Sequence, residues 1–531
     1  MPKRATCGSR SWPVSGIGGN SFVFELDLPV CVGAGRLSTA QRMLDTNRNL
    51  MKPLVPLAVP GFVFAAWLAG CATPPPPPPP AVAVAPAPEP VAAPRADPAW
   101  IELGPSAIVR TVAEPGACPA LAVDGAPVPM ALRAAAGTPG AGTPRAARFD
   151  VDVCEAALPA GARTAQVGGR DLPVPRAQPR RIVVLGDTGC RIKGDAAQAC
   201  SDPAGWPFAQ VAAAAAALAP DLVIHVGDYH YRETPCPAGN AGCAGSPWGY
   251  GWDAWNADFF APARPLLAAA PWIFLRGNHE ECSRAGQGWF RLLAPEPYTA
   301  ARSCDLPAND AAAEFTPPYA VPVGRSTQVI VFDSAHAGNA PLDRARPRDR
   351  AILAAYVADV RALDALAVPG VRSWFASHHP VLAFAPDDRP GATHPYPGNA
   401  PLQQALAEVN GTVYFPPAIQ AALHGHVHLF QALGFADGHP AALVAGNGGD
   451  HLDSPLPPAL PAGLAPAPGT RLAHATTSDA FGFLVLERVG ADDDDGGRWT
   501  VVARRRDGSE ITRCELGPDG GLACEREGPV R

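Results

Sequence analysis

Five short stretches carry side chains able to hold metal ions: Gly186-Asp187-Thr188-Gly189, Gly227-Asp228-Tyr229-His230-Tyr231, Gly277-Asn278-His279-Glu280, Ser377-His378-His379-Pro380 and Gly425-His426-Val427-His428. Each directly follows an apolar run. Oxygen donors (Asp187, Asp228, Asn278, Tyr231) mixed with imidazoles (His378, His426, His428) suit iron, zinc or manganese; an all-oxygen set would favour magnesium or calcium, and thiolates structural zinc. Two such cations about 3.5–4 Å apart neutralise a phosphate and activate water, so hydrolysis needs no serine or cysteine nucleophile. The chemistry implied is attack of a metal-bound hydroxide on phosphorus.

Taken singly, each stretch also has a bland reading. An Asp after Gly at a strand end can be a helix cap or turn residue, Asn278 a turn former and Tyr231 a half-buried aromatic. Two histidines spaced i, i+2 on a strand share a face that solvent could wet. Five coincidences, each at the end of an apolar run, are a poorer account than one metal site.

These residues resemble the calcineurin-like metallophosphoesterases, and within them the purple acid phosphatase branch, over roughly residues 180 to 450. The wider family carries a His where Gly189 stands and a second Asp where Tyr231 stands; both departures are those of the purple acid phosphatases. The resemblance implies Asp187, Tyr231 and His428 on a first metal, ferric iron, and Asn278, His378 and His426 on a second, Fe(2+), Zn(2+) or Mn(2+), with Asp228 bridging. His378 is preferred to His379 because the family's His-x-Pro pattern ends at Pro380. By the same resemblance His279 steadies the phosphoryl oxygens or protonates the leaving group, and His379 and His230 are further substrate or supporting contacts. The activity implied is phosphomonoester hydrolysis; a phosphodiesterase or nucleotide pyrophosphatase with the same metals is the alternative. The insert Thr234 to Trp255 and the loop around Arg284 to Trp289 are expected to set the width of the site and so to separate the two. A binding protein with a dead site would lack ligands, and none is missing.

Short apolar runs of buried-strand type cover Ile182 to Leu185, Leu222 to Val226, Trp272 to Leu275, Val329 to Phe332, Trp374 to Ala376, Ala421 to Leu423 and Ala441 to Ala445. Helical stretches lie between them at Phe208 to Leu218, Ala254 to Ala269, Arg350 to Leu366 and Leu402 to Val409. Alternation of this kind predicts an α/β fold, mixed sheets flanked by helices, with ligands at the carboxyl ends of strands. Phe481 to Val489 and Trp499 to Arg504 read as closing strands. The sequence is expected to divide into 1–50, a mis-assigned upstream extension; 51–71, a lipoprotein signal; 72–98, a Pro/Ala-rich linker; 99–178, a small β-rich domain; 179–490, the catalytic domain; and 491–531, a hairpin turning at Gly517 to Gly521.

The location is read from Met51 onward. Lys52 precedes an apolar stretch, Leu54 to Trp67, shorter than the ~20 residues that span a bilayer, and then Leu68-Ala69-Gly70-Cys71. This resembles a lipobox, which makes Cys71 the expected lipid anchor, in the outer membrane because Ala72 follows it. Pro74 to Pro80 and the Ala/Pro tract to Pro98 predict a semi-rigid polyproline stalk. Of 13 cysteines, setting aside Cys7, Cys31 and Cys71 leaves ten, an even number suited to an oxidising compartment. Sequence proximity pairs Cys118 with Cys154, Cys190 with Cys200, Cys236 with Cys243, Cys282 with Cys304 and Cys514 with Cys524. A formal charge of −7 argues against a nucleic-acid partner. The expected partners are a small phosphate ester and, through Cys71, a membrane; the expected state is a monomer.

Overall fold

The computed structural model describes residues 98–387, 389, 394–457, 459–490 and 497–525. The signal, Cys71 and the proline tract lie outside the described residues.

Strand runs with no polar alternation must be covered on both faces, and two sheets stacked face to face between helices meet that need. In strand Arg181–Leu185, Ile182 and Val184 point to one side and Val183 and Leu185 to the other. The first pair joins Ile224 and Ile273 against Val329, Trp374, Leu423 and Leu443 of the second sheet. The second pair packs on Phe208, Val211 and Ala215 of helix Phe208–Ala217 and on Phe259 and Leu266 of the helical stretch 252–267. The far face of the second sheet is covered by Leu353, Tyr356, Val360 and Leu363 of helix Pro347–Leu366 and by Leu402, Ala405 and Leu406 of helix Ala400–Asn410. The order of layers is helix, sheet, sheet, helix.

Among the described residues the first sheet has eleven strands and the second seven. Arg181–Leu185, Leu222–His225 and Trp272–Phe274 run parallel in the first. Thr327–Phe332, Arg372–Ser377, Ile419–His424 and Ala441–Ala445 run parallel in the second. The predicted strands and helices fall where the apolar periods place them, within a few residues at each end.

The segment 99–178 is β throughout, but it does not stand apart from the catalytic core. Ala99–Leu103 pairs parallel with Trp272–Phe274, and Ala107–Ala113, Asp152–Ala157 and Ala131–Ala134 extend the same sheet outward. Four shorter strands form a separate sheet over a common core of Ile101, Val109, Leu121 and Val167. Arg110 and Arg133 fix the junction: their guanidinium groups donate to the carbonyls of Leu292 (2.8 Å), Ala294 (3.1 and 2.8 Å) and Phe290 (2.7 Å). Those are the open carbonyls at the end of helix Trp289–Leu293, which two cations cap while Glu102 and Glu155 neutralise them. The boundary placed at 490/491 also dissolves. Trp499–Arg505 pairs with Gly482–Arg488, which lies beside Arg181–Leu185, so the C-terminal strands extend the large sheet. Pairing partners this distant in sequence leave no local signal.

All five proximity pairs are disulfides: 118–154, 190–200, 236–243, 282–304 and 514–524.

Candidate metal centre

The carboxyl ends of the parallel strands in both sheets meet, and all five motifs begin there. Asp187, Asp228 and His426 share a local feature: each follows a glycine and each has a left-handed backbone, with φ of 56°, 60° and 68°. Non-glycine residues hold that conformation only where surrounding structure over-determines it, and such sites cluster at functional centres. The loops are tied to one another: Asp187 N donates to Gly227 O (2.9 Å), Gly425 N to His378 O (3.0 Å) and His426 N to Asp187 Oδ2 (3.0 Å).

Two groups of donor atoms result, joined by one carboxylate. Tyr231 Oη lies 3.2 Å from Asp187 Oδ1 and 3.1 Å from His428 Nε2. Asn278 Oδ1 lies 3.0 Å from His378 Nε2 and 3.0 Å from His426 Nδ1. Asp228 Oδ2 reaches both, 2.8 Å from Tyr231 Oη and 3.3 Å from His378 Nε2. The seven residues that the resemblance names as ligands thus converge, in the two sets it predicts.

The tautomers test whether cations fit. His428 Nδ1 is 2.7 Å from His451 O, His378 Nδ1 is 2.9 Å from Val226 O, and His426 Nε2 is 3.1 Å from Asn339 Oδ1. Each outer nitrogen therefore faces an oxygen it can donate to, which turns each inner nitrogen onto the carboxylate or amide oxygens of the centre. Nitrogens and oxygens held at that distance need a positive charge between them, a proton or a metal ion: against burial, Asp228 raises His378 to about 9, and Asp450 and Asp187 raise His428 to about 10. The donor set fits two metal ions.

Electrostatics agree. Burial pushes the Asp187 carboxyl up. Burial acts on Asp228 in the same sense, but His378 and His279 outweigh it and hold this carboxyl well below its ordinary range. Burial, with Asp228 and Asp187 close by, holds the Tyr231 phenol well above its ordinary value. Ionising that phenol therefore calls for a strongly charged cation.

Gly189 and Tyr231 are coupled by space. A Cβ at Gly189 would lie 2.8 Å from Tyr231 Cδ2 and 2.6 Å from Tyr229 O, so the ring that enters the centre excludes any side chain at 189. This is the steric reason for the paired departure seen in the sequence.

Other residues, to which the motifs assign no role, hold these loops in place. The Glu280 carboxylate accepts from the backbone N–H of Asp228 (3.0 Å), Tyr229 (2.9 Å), His230 (3.2 Å) and Gly277 (3.1 Å). Burial, then Asp228, pushes Glu280 up to about 8, while its N–H donors pull the other way. Asp258 accepts from Cys190 N (3.0 Å), Tyr231 N (2.7 Å) and Arg232 N (3.1 Å), bridging the first two motifs. It sits on a π turn, 256–260, within the helical stretch predicted at Ala254 to Ala269, a local widening found often at functional sites. Asp450 receives Arg191 and lies 3.4 Å from His428 Nδ1. Only Glu280, inside a motif, was open to notice; Asp258, Asp450 and Asn339 meet the centre through tertiary contacts.

The three further histidines part company. His279 lines the cavity, its ring 3.8 Å from that of Tyr231 and its Nδ1 2.9 Å from His230 O. His379 is buried behind the centre, 4.1 Å from the His426 ring, with its N–H on Ser334 Oγ (3.0 Å). His230 is buried between Tyr250 and Trp255 and is not among the residues that line the cavity; of the two roles expected for it, substrate contact or support, its position suits the second, with its backbone oxygen 2.9 Å from His279 Nδ1. The backbone turn that points Tyr231 inward points His230 away. Neither Thr234 to Trp255 nor Arg284 to Trp289 supplies a lining residue among those described; Asn339, Pro341, Pro380, Phe384 to Pro386 and Tyr396 to Ala400 do so instead. The expected control of site width is corrected accordingly.

Residues 180–430 match the model of the calcineurin-like phosphoesterase family. Among curated proteins none matches the sequence. Similar solved structures include a purple acid phosphatase from seeds of yellow lupin (Lupinus luteus), 15% identical over 79% of this chain and 74% of that one, with a TM-score of 0.45. PhoD is 11% identical over 84% of this chain and 94% of its own, with a TM-score of 0.46. A dimetal phosphatase from Danio rerio is 10% identical over 64% and 98%, with a TM-score of 0.33. The match places residues 180–430, the part of the chain that carries all five motifs, in the calcineurin-like phosphoesterase family and makes this region a metal-dependent phosphoester hydrolase.

Proposed function

We propose that this chain is an exported phosphomonoesterase of the purple acid phosphatase kind, with ferric iron at the site of Asp187, Tyr231 and His428. The observation that carries the reading is Tyr231 Oη among Asp187, Asp228 and His428, with Gly189 leaving room for its ring. Two bound cations supply Lewis acidity, neutralising phosphoryl oxygens and lowering the pKa of the attacking water. The chain's own part is positional. Asp228 links the two donor sets, the outer hydrogen bonds fix the imidazole tautomers, and Glu280 and Asp258 hold the loops against movement as charge shifts. His279, at the cavity wall beside Asp228, is the side chain placed to meet the phosphoryl group or its leaving oxygen. The test is metal analysis of the purified protein with a panel of mono- and diesters. Iron with a second divalent metal and a monoester preference is expected; a diester or pyrophosphate preference would transfer the chain to the alternative reading.

Export and the anchor at Cys71 stand beside this as a proposal. Support comes from Leu68 to Cys71 and from five disulfides, which persist in oxidising compartments. An acylated Cys71 in mass spectra of membrane-extracted protein is the expected result.

A further inference from the structure

The cavity over the metal centre encloses about 710 Å³, far more than a phosphoryl group fills, and its lining is of two kinds. Part is the donor set with His279. Pro341, Phe384, Pro386, Tyr396, Pro397 and Val427 add apolar surface. A phosphoryl group held by the donors leaves the rest of its ester to the remaining space, which these residues line.

That apolar surface is built to stay in place. Phe384 is buried, its N–H donating to Gln431 Oε1 (3.1 Å) and its carbonyl accepting from Gln431 Nε2 (2.7 Å). Ala385 and Tyr396 exchange two backbone hydrogen bonds, 3.0 and 2.7 Å. Tyr396 nevertheless leaves 47% of its surface to solvent, so a large ring is held at the rim of the cavity with the Arg389 guanidinium 5.6 Å from its centroid and the rest in contact with water. An exposed aromatic anchored beside a polar centre gains by covering, and a flat apolar group covers it best. Charge narrows the class further. The guanidinium that lines the cavity, Arg191, is engaged by Asp450, and Asp453 adds an acid at the same wall. Arg389, beside the Tyr396 ring, is itself held by Asp387 (2.8 and 3.0 Å), so a second phosphate or a carboxylate on the leaving group would find no uncommitted cation among the lining residues described.

We infer that the esters this site takes carry a neutral, flat apolar alcohol, and that Tyr396 is the residue that selects it. The inference rests on the phosphomonoesterase reading for the placement of the phosphoryl group. It excludes sugar phosphates and nucleoside polyphosphates as preferred substrates.

Binding tests it without turnover. Titration calorimetry on the metal-loaded enzyme compares benzylphosphonate with methylphosphonate, which differ in the ring alone. The ring should tighten binding about tenfold or more, the scale on which apolar pockets discriminate. Tyr396→Ala should reduce that ratio to about threefold or less, and Tyr396→Phe should keep it. Equal affinity of the two phosphonates in the parent enzyme overturns the inference, as does an undiminished ratio in Tyr396→Ala. Hydrolysis of benzyl phosphate against ethyl phosphate, esters of alcohols of similar acidity, gives the second arm. If no ester is hydrolysed while the binding ratio and its loss in Tyr396→Ala persist, the hydrolase reading fails and the apolar wall keeps its ligand class.

Discussion

Tyr231 Oη lies 2.8 Å from Asp228 Oδ2, three residues away along the chain, because the left-handed backbone at Asp228 turns both side chains into one centre. The phenol is the one neutral oxygen in that half of the site, and burial among carboxylates keeps it protonated until a cation replaces the proton. Tyr231→Phe should therefore abolish any charge-transfer colour of the iron-loaded enzyme while part of the hydrolytic activity survives. A coloured Phe variant by visible spectroscopy would remove Tyr231 from the iron.

Asp228 Oδ2 lies within 3.3 Å of an atom of each donor set, Tyr231 Oη and His378 Nε2. Asp228→Asn and His426→Ala should each lower metal content below two ions per chain. The loss in affinity should exceed the roughly 10- to 100-fold typical of losing an outer hydrogen-bond partner. Elemental analysis after dialysis against a weak chelator measures it.

Glu280→Ala would leave four backbone N–H groups without their acceptor. Each buried unpaired donor costs about 1–3 kcal/mol, so a large fall in thermal stability is expected, together with weakened metal binding. Glu280→Gln, which keeps one acceptor oxygen, should fall between the two.

The disulfide Cys282–Cys304 closes a loop of 22 residues directly after the Asn278 motif. Replacing both cysteines by serine should cost about 3 kcal/mol on loop-closure grounds. A denaturant titration that shows no loss would place the bracing of this loop in Arg276 and Glu314 instead.

Asp359 supplies a pH dependence away from the centre. Burial, then Asp333, raises its carboxyl to about 7 from an ordinary 3.8. The folded state then holds a proton that the unfolded chain has already released, so this contribution is full below about 3.8 and is lost as pH rises through 7. Asp359→Asn should be more stable than the parent at pH 8 by about 1–2 kcal/mol, after discounting for its half-buried position, with the gap closing towards pH 4. Thermal melts across that range decide it.

The sequence by itself determined the donor types, their order and the strands that end in them, because ligand chemistry is a property of residue type and an apolar run followed by Gly is a local pattern. It also determined the disulfide partners, each within 36 residues of the other. What only the tertiary structure decided is how distant segments meet. Asn339 reaches His426 across 87 residues and Asp258 reaches Cys190 across 68, so neither outer contact leaves a trace in spacing. His230 and Tyr231 are neighbours in sequence, yet one turn of backbone sends the first into packing and the second to the centre. The strands of 99–178 join a sheet whose receiving edge, Trp272–Phe274, lies more than a hundred residues on, and the apolar wall at Phe384 and Tyr396 faces the centre only after both sheets have stacked. Short-range chemistry is written in residue type, whereas pairing and enclosure are set by which buried faces close on one another.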